Sequence, residues 1–444
     1  MRFLPCAAGA ALLLALAAPA RAQQPAPPGE PPPAPAGAPE PPAEEPGDKE
    51  PEDGGAEPAQ PAPTPPPPAA APAEKRPVAA ATPAVVAPQA REPGLRERLR
   101  ARLGPLTLTT PVLLQVQASP YVGEDSFLQA GDIAERPGFR LRRARLGLKG
   151  DLEEVLRFAI AGQLGSEDSG EMRLHEAWAG YTALPYLKIF AGARDVPFSR
   201  SALTGAEATA LVERPFAVRA IAPFKQVGVQ VEGELADGAF GYQAGAFNGF
   251  QRSDQFYAGH DESYAPLGNR FEGTAVAGRV ATEPLGPLGR TIQDLERSPF
   301  RFGAGASAFY SHGGARTLAG AGGDVLVHAS GLHLLAEVLW LRAAPQEVPS
   351  QPITQVTSIS SVGLVGEVGY MIVPRIFGVS ARVEWIDPDP EVDNEGDDVI
   401  TSAGVSYHAF EDILRAQLEY THREEIHGLS LANDALTLQL QLSL

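Results

Sequence analysis

The sequence ends in the stretch DALTLQLQLSL, Asp434 to Leu444, in which every second residue is a leucine. Successive side chains of a β-strand point to opposite faces, so this stretch read as a strand separates two sets of residues. The two sets are Leu436, Leu438, Leu440, Leu442 and Leu444 on one face, and Ala435, Thr437, Gln439, Gln441 and Ser443 on the other. The period of 2 predicts a strand with one apolar face and one polar face.

The same alternation recurs along most of the chain. In one example Val227, Val229 and Val231 alternate with Gln226, Gln230 and Glu232. About sixteen segments of this kind can be counted, each of about the length that crosses a bilayer when tilted. An even number of strands is what a single-chain outer-membrane barrel needs.

The links between these segments are short and long in turn. "GDLEE" at 150–154 and "LADG" at 235–238 are tight, whereas Ser199 to Phe224 and Asp387 to Asp397 are long. Short turns on one rim and long loops on the other are typical of outer-membrane barrels, whereas a soluble sandwich or solenoid does not sort its turns by side. We therefore expect an all-β, antiparallel, up-and-down transmembrane β-barrel of 16 strands over residues 104–444. One link, Pro284 to Ser298, is too long for its rim, so we expect a miscounted strand near it.

The start of the chain predicts export. Residues 1–22 combine a positive end, a leucine-rich run and the small-residue stretch Ala20-Arg21-Ala22, which is typical of a cleaved signal peptide. The only cysteine, Cys6, lies in this peptide, so the mature chain is expected to contain no disulfide or thiolate site. Residues 23–103 are rich in Pro and Ala and are expected to form a disordered periplasmic tether, with a short helical turn at Glu97 to Leu103.

A basic stretch contrasts with the formal net charge of -18: GFRLRRARLGLKGDL, Gly138 to Leu152. Its leucines can face lipid while Arg143, Arg145 and Lys149 face water, because charge on the lipid side at mid-depth costs about 2–4 kcal/mol. The apolar parity changes before Ala144, so we expect a β-bulge near Arg142.

Further basic residues share the polar faces of other segments. The candidate pore-lining residues are Arg143, Arg145, Lys149, Arg157, Lys188, Arg194, Arg279, Arg301, Arg382 and Arg415. Acidic residues on the same faces are Glu232, Glu367, Glu384 and Glu419. A row of basic side chains along a narrow passage would concentrate anions, and the alternative is that these charges pair in salt bridges that stiffen the wall.

Six blocks follow one another along the chain: RRARLGLKGDL (142–152), LHEAWAGY (174–181), FAGARDVPFS (190–199), ERPF (213–216), KQVGVQVEG (225–233) and AGAFNG (244–249). Taken in order, they resemble the phosphate-selective porins O and P. The resemblance implies a sixteen-stranded outer-membrane barrel, assembled as a homotrimer, that passes small anions.

The resemblance also assigns roles to single residues. It places Arg143, Arg145 and Lys149 on the pore side, and the pair Glu213 and Arg214 matches the family's "ER". Further matches are Gly192, Pro197, Phe198, Phe247, Asn248 and Gly249, with Lys225 where an arginine is common. The sequence departs from the family at Asp195, where lysine is usual, and at Leu444, where an aromatic residue is usual.

The long link Ser199 to Phe224 is small and apolar for a solvent loop. The resemblance implies that it folds into the barrel as a constriction loop, with Glu207, Glu213, Arg214 and Arg219 near the narrowing. The alternative is a cap that packs on neighbouring loops or on a neighbouring subunit.

Other chemistries find little support, and no enzyme activity is expected. "HEAWA" at 175–179 lacks the second histidine of a zinc-protease helix, and "GASAF" at 305–309 lacks the second glycine of a nucleophile elbow. The loop DPDPEVDNEGDD (387–398) offers Asp387, Asp389 and Asp393 but not the ligand order of a calcium loop. No metal or cofactor is expected, and nucleic acid is not an expected partner of so acidic a chain.

The function expected from the sequence is an outer-membrane porin. It would form a water-filled channel for small anions, phosphate or polyphosphate among them, with outer-membrane lipid around the barrel. One alternative is a structural barrel tethered to peptidoglycan or to a periplasmic partner through residues 23–103. A general, unselective porin is the other.

Overall fold

The computed structural model describes residues 100–122, 138–164, 172–252, 259–261, 273–289, 291–313, 316–345, 357–393, 396–427 and 434–444. The expected signal peptide, nearly all of the expected tether and much of the long loops lie outside these residues. Among the described residues, no helix is long and apolar enough to cross a membrane.

Sixteen antiparallel strands form a closed barrel, as the alternation predicts. The strands are β3 (Val112–Val122), β4 (Gly138–Leu152), β5 (Leu156–Gln163), β6 (Arg173–Leu184), β7 (Leu187–Asp195), β8 (Lys225–Leu235), β9 (Phe240–Asn248), β12 (Gly273–Thr282), β13 (Arg301–Gly313), β14 (Arg316–Ala329), β15 (Leu332–Pro345), β16 (Ile359–Val373), β17 (Phe377–Asp387), β18 (Asp398–Ala409), β19 (Leu414–Glu425) and β20 (Ala435–Ser443). Each strand pairs with the next, and β20 pairs with β3, from Ser443 opposite Leu113 to Ala435 opposite Val122. The predicted fold class and strand number are confirmed.

A short hairpin precedes the barrel. It consists of β1 (Arg100–Leu103) and β2 (Leu106–Thr109), and β2 pairs with the end of β4 from Leu106 opposite Leu152 to Thr109 opposite Lys149. β2 therefore continues the line of β3 after a break that contains Pro111, which has no N–H to donate. The expected helical turn is wrong for residues 100–103, because pairing with β2 holds them extended.

The two faces of the strands are buried in the opposite sense to those of a soluble protein. In β20, Thr437 and Gln441 are 0% exposed and Gln439 is 1% exposed, whereas Leu438 and Leu440 are about half exposed. A polar face turned inward and a leucine face turned outward are what a barrel in lipid requires.

Aromatic side chains stand at both ends of the outward surface. One end carries Tyr181, Tyr186, Phe240, Phe300, Tyr370, Tyr407 and Phe410, and the other carries Phe139, Tyr310, Trp340 and Tyr420. Aromatic girdles at the two membrane interfaces are characteristic of transmembrane barrels.

The bulge expected near Arg142 is present in β4. Gln115 of β3 lies opposite Arg143, and Val116 lies opposite Leu141, so Arg142 is the extra residue. The bulge lets Arg142 and Arg143, which are neighbours in sequence, both reach Glu213 inside the barrel.

The barrel has a turn rim, with links such as 153–155 and 236–239, and a loop rim, with links such as 196–224 and 388–397. The expectation of a miscounted strand near Pro284 to Ser298 is wrong. The link 283–300 belongs to the turn rim but is long, and on the loop rim only residues 314 and 315 separate β13 from β14. Two short strands follow the loop-rim end of β9 and pair with each other: β10 (Gln251–Arg252) and β11 (His260–Asp261).

Candidate functional site: the barrel interior

The inner loop, residues 196–222, lies inside the barrel. It contains two short helices, α1 (Arg200–Leu203) and α2 (Phe216–Ile221). α1 begins after Ser199, which has φ 60° and whose Oγ accepts a hydrogen bond from the Ala202 N–H. The small and apolar side chains of the inner loop let it pack closely against the wall. Phe198 and α2 share one buried cluster there with Leu339, Val365, Ile386 and Ile400.

Carboxylates of the wall bind the backbone of the inner loop. Glu337 accepts the Ser201 N–H at 2.9 Å, Glu384 accepts the Ala217 N–H at 2.9 Å, and Glu419 accepts the Val212 N–H at 2.6 Å. These bonds satisfy loop amides that would otherwise be buried without an acceptor.

Donors of the wall bind the loop's carbonyl groups in the same way. Arg415 donates to Thr209 O at 2.9 Å, Gln417 to Ala210 O at 3.1 Å, and Gln441 to Glu207 O at 3.2 Å. The inner loop is therefore fastened through its backbone along the wall formed by β13–β20, which we call the covered wall.

A second segment enters the barrel from the turn rim. Within the link 283–300, which we call the mouth segment, Ile292 donates its N–H to Ala208 O of the inner loop at 3.2 Å. Ile292 and Leu288 also form a buried apolar cluster with Ala210, Leu326 and Leu335. The link is therefore long because it packs against the inner loop, and the miscounted strand that the sequence predicts is not needed to explain its length.

A cavity of about 1490 Å³ remains along the opposite wall, which consists of β4–β9 and β12 and which we call the open wall. Near the turn rim the cavity is lined by residues such as Asp237 and Glu283, and toward the loop-rim ends of the strands by Gln163 and Arg173. Of the residues that the structure describes, eleven basic ones line it: Arg142, Arg143, Arg145, Lys149, Arg173, Lys188, Arg194, Arg200, Arg214, Lys225 and Arg279. Seven described acidic residues line it: Glu176, Asp195, Glu207, Glu232, Glu234, Asp237 and Glu283.

The ten basic residues singled out from the sequence fall into three places. Six lie in the cavity lining: Arg143, Arg145, Lys149, Lys188, Arg194 and Arg279. Arg157 and Arg301 lie at the turn rim, where Arg157 pairs with Asp151 at 2.7 Å and Arg301 donates to Pro287 O at 2.8 Å. Arg382 and Arg415 are buried under the inner loop, 6% and 1% exposed.

The acidic residues singled out from the sequence are divided in a similar way. Glu232 lines the cavity and lies 3.3 Å from Arg194. On the covered wall Glu367 and Glu384 both contact Arg382, at 3.4 and 2.8 Å, and Glu419 holds the inner loop. Three of these four carboxylates are thus engaged with the covered wall and the loop.

Glu213 of the inner loop joins the loop to the basic stretch of β4. Its carboxylate lies 2.7 Å from Arg142 Nε and 2.7 Å from Arg143 Nη2, and it accepts a hydrogen bond from Gln117 at 3.2 Å. Burial alone would raise the pKa of this carboxyl, but Arg142 and Arg143 hold the pKa well below its usual range. Glu213 is therefore an ionised group enclosed by two arginines.

The other residues expected near the constriction lie on different sides of the inner loop. Glu207 and Arg214 face the cavity, and the Arg214 guanidinium also donates to Thr204 O. Burial lowers the pKa of Arg214 from its usual value. Arg219 lies over the Phe216 ring, 4.6 Å from its centroid, within α2.

Sequence reasoning missed several residues that line the cavity, among them Arg173, His175, Arg200 and Glu283. Arg200 links three elements, because it lies 3.0 Å from Asp324 of β14 and 3.3 Å from Glu283 of the mouth segment. No alternation marks Arg200 or Glu283, which follow strand ends. Arg173 and His175 lie at the start of β6, where their inward direction could have been inferred from strand parity.

A small group on the loop rim has the spacing of cation ligands. One ligand atom from each of Asp393, Asp397 and His427 lies within 4.8 Å of the others. His427 Nδ1 is 2.7 Å from the Asp397 carboxylate, and this hydrogen bond raises the pKa of His427. Asp393 is one of the acidic loop residues considered from the sequence, whereas Asp397 and His427 come together only in the fold.

Comparison of the chain with known families finds a match to the model of the phosphate-selective porins O and P over residues 124–284. No curated protein sequence matches the chain. The matched residues include all six blocks that carry the resemblance.

Solved structures of low sequence identity share the fold. An outer membrane channel, DcaP of Acinetobacter baumannii, has a TM-score of 0.53 at 10% identity, covering 76% of this chain and 97% of that one. An anion-selective porin from Comamonas acidovorans has a TM-score of 0.50 at 14% identity, covering 76% and 100%. Salmonella typhi OmpF in complex with daunomycin has a TM-score of 0.50 at 10% identity, covering 78% and 100%.

The barrel, its lipid-facing surface and the family match support one another. They indicate an outer-membrane channel, and the resemblance inferred from the sequence is confirmed over the matched residues. Residues 124–284 of this chain match the model of the phosphate-selective porins O and P, within a barrel that has the fold of outer-membrane porins.

Proposed function

We propose that the protein is a porin whose passage along the open wall favours small anions, with phosphate among its solutes. The observation that carries the proposal is the described part of the cavity lining, where eleven basic residues face seven acidic ones in a chain of net charge -18. Basic side chains along a narrow passage raise the local concentration of anions and replace part of their hydration, and several weak sites let an ion leave again.

The division of acidic residues between the two walls supports this proposal. Glu384 and Glu419 bind loop amides on the covered wall, and neither is a lining residue of the cavity. These two wall carboxylates are thereby kept away from the solute, while Arg145 and Lys149 stay on the cavity surface.

The inner loop has the position that a constriction needs. It fills the barrel beside the covered wall and leaves Glu207 and Arg214 at the edge of the cavity. We infer that these two side chains, together with Arg143 and Lys225, set the width and charge of the narrowest part.

The preference for phosphate is the narrower part of the proposal. It rests on the family match and on the density of basic groups. Asp195 stands where the family usually has lysine, and its carboxylate lies 2.7 Å from Lys225 Nζ, so one cation of the lining is partly neutralised. We therefore expect phosphate to bind weakly and to compete with other anions.

Single-channel recording in a planar bilayer tests the proposal. The reversal potential in a KCl gradient should have the sign of an anion-biased pore, and added phosphate should reduce the chloride current. Arg145→Gln should weaken the block by phosphate, and Arg375→Gln, an exposed turn-rim change outside the cavity lining, serves as the control. A cation-biased reversal potential would contradict anion preference, and an anion-biased current that phosphate leaves unchanged would contradict phosphate binding alone.

We infer in addition a homotrimer in the outer membrane, with residues 23–103 as a periplasmic tether after removal of a signal peptide. The family resemblance supports the trimer, and composition supports the tether. Chemical cross-linking of the purified protein tests the trimer. Deleting residues 24–92 separates channel from tether, because a channel should conduct normally without them, whereas a tether protein should lose envelope stability.

A further inference from the structure

The charges that line the cavity are distributed unevenly along its length. The turn-rim end comprises lining residues in links or within three positions of a strand end at that rim: Lys149, Lys188 and Arg279 with Glu232, Glu234, Asp237 and Glu283. The remainder comprises Arg142, Arg143, Arg145, Arg173, Arg194, Arg200, Arg214 and Lys225 with Glu176, Asp195 and Glu207. Among the described lining residues, acidic groups outnumber basic ones only at the turn-rim end.

Charges of both signs are paired at this end. Each basic residue there has a carboxylate nearby: Lys188 has Glu234 at 2.7 Å, Arg279 has Asp324 at 2.8 Å, and Lys149 has Glu176 at 3.4 Å. Two of its carboxylates, Glu232 and Glu283, lie 3.3 Å from Arg194 and Arg200 of the remainder. Asp237, in the link between β8 and β9, adds an exposed negative charge. The turn-rim mouth therefore presents little net positive charge to a passing ion.

The rest of the passage keeps a basic excess even when Glu213 is included. Glu213 lies behind Arg142 and Arg143, and counting it gives eight basic groups against four acidic ones among the described residues of this part. The passage thus consists of a basic part followed by a mouth that is weakly acidic.

We propose that this charge step makes the pore rectify, so that it passes anions more readily from the loop rim toward the turn rim than in the reverse direction. The inference rests on the proposed anion-biased channel and adds a direction to it. A basic part concentrates anions and an acidic mouth concentrates cations. When the applied voltage drives each ion into the pore from the end that attracts that ion, ions accumulate in the pore. The opposite voltage depletes the pore of ions.

The sign of the effect follows from the geometry. When the loop-rim side is negative, anions move inward through the basic part and cations enter through the mouth, so the current is the larger one. When the loop-rim side is positive, both ions must first cross the part that repels them. We expect roughly a twofold ratio of currents at equal and opposite voltages in dilute KCl, and a smaller ratio in concentrated KCl, which screens the charges.

The test uses the full chain with Cys6→Ser and one engineered cysteine in the mouth, Glu234→Cys. The Glu234 side chain is 56% exposed and lines the cavity, so a water-soluble thiol reagent can reach it. Adding a membrane-impermeant reagent to one side and then the other reports the orientation of the channel. The matched control is Glu296→Cys, a similarly exposed carboxylate of the mouth segment that is not a lining residue.

We expect the parent protein to rectify and Glu234→Cys to rectify less. Attaching a negatively charged methanethiosulfonate to the Glu234→Cys thiol should restore rectification, and Glu296→Cys should rectify as strongly as the parent. Asp237→Asn provides a second variant if Glu234→Cys does not assemble, because asparagine accepts the φ of 54° at this position. A symmetric current–voltage curve with an anion-biased reversal potential would overturn this inference and leave the proposed function standing. A cation-biased reversal potential would overturn both.

Discussion

The open wall and the covered wall are built from the same kind of strand but use their inward charges differently. On the covered wall Arg382, Arg415 and Glu419 are at most 6% exposed, and each is bound to the inner loop or to a neighbouring charge. On the open wall the Lys149 side chain is 50% exposed, and its carboxylate partner lies 3.4 Å away. Alternation therefore decides that a charge points inward, and the segment that covers it decides whether the charge meets solute.

The largest effect is expected where the two walls are joined through Glu213. Glu213→Ala leaves Arg142 and Arg143 without the carboxylate that compensates them, and breaking a buried pair in this way costs about 3–5 kcal/mol. We expect a lower thermal unfolding midpoint and a larger, noisier single-channel conductance, as the inner loop loosens.

The control for this change is Glu207→Ala, which removes an exposed carboxylate from the same loop. Its unfolding midpoint should stay close to that of the parent protein. Equal midpoints for Glu213→Ala and the parent would show that the loop does not depend on this ion cluster.

A smaller effect is expected where the mouth segment meets the inner loop. Ile292 is 4% exposed, and truncation to alanine leaves a hole in the cluster with Leu288 and Leu326, at a cost of about 2–5 kcal/mol. Ile292→Val, which removes one methylene group, should cost about 0.5–1.5 kcal/mol. Denaturant unfolding of the two variants in detergent measures the difference. Indistinguishable stabilities would mean that the two segments do not support each other.

A pH effect is expected at the base of the covered wall, in the turn that contains Asp412. Burial would raise the pKa of Asp412, but hydrogen bonds from His408 and Arg415 lower it to about 2. A depressed carboxyl pKa stabilises the fold above the usual aspartate pKa, and this contribution, about 2 kcal/mol, is lost as the pH falls toward 2. Unfolding midpoints measured from pH 5 down to about pH 2 should therefore decline more steeply in the parent than in Asp412→Asn. Parallel declines would refute the assignment.

The smallest effect on stability is expected on the open wall. Lys149→Gln breaks a half-exposed ion pair with Glu176, which contributes no more than about 1 kcal/mol, so unfolding should hardly change. The reversal potential in a KCl gradient should nevertheless shift toward cations, because the lining loses one positive charge. Arg157→Gln at the turn rim is the matched control, and an equal shift in that variant would show that position along the open wall does not matter.

Local patterns in the sequence were enough to predict the barrel. The alternation of Leu438 and Leu440 with Gln439 depends only on strand geometry, and the parity change at Arg142 marks its bulge directly. Pairing between neighbouring strands and the contrast between lipid and water decide both features, so no distant contact is needed to infer them.

The contents of the barrel could not be predicted in the same way. Glu419 and Val212 are separated by 207 residues, and no periodicity connects a carboxylate on one strand with an amide in a distant loop. Arg382 and Lys149 look alike in sequence, and only the inner loop, which covers one and not the other, distinguishes them. The length of the mouth segment could not be explained from the sequence, because the contact that accounts for it, between Ile292 and Ala208, also depends on that loop.

Thiol accessibility tests the difference between the two walls most directly. In a Cys6→Ser background, Lys149→Cys places a thiol on the open wall, and Ser402→Cys places a nearly isosteric thiol on the covered wall, where Ser402 is 1% exposed. A charged, water-soluble thiol reagent added to the channel in a bilayer should modify Lys149→Cys rapidly and change its current in steps, and it should leave Ser402→Cys unmodified. Equally rapid modification of Ser402→Cys would contradict the account, because water would then reach the wall that the inner loop covers.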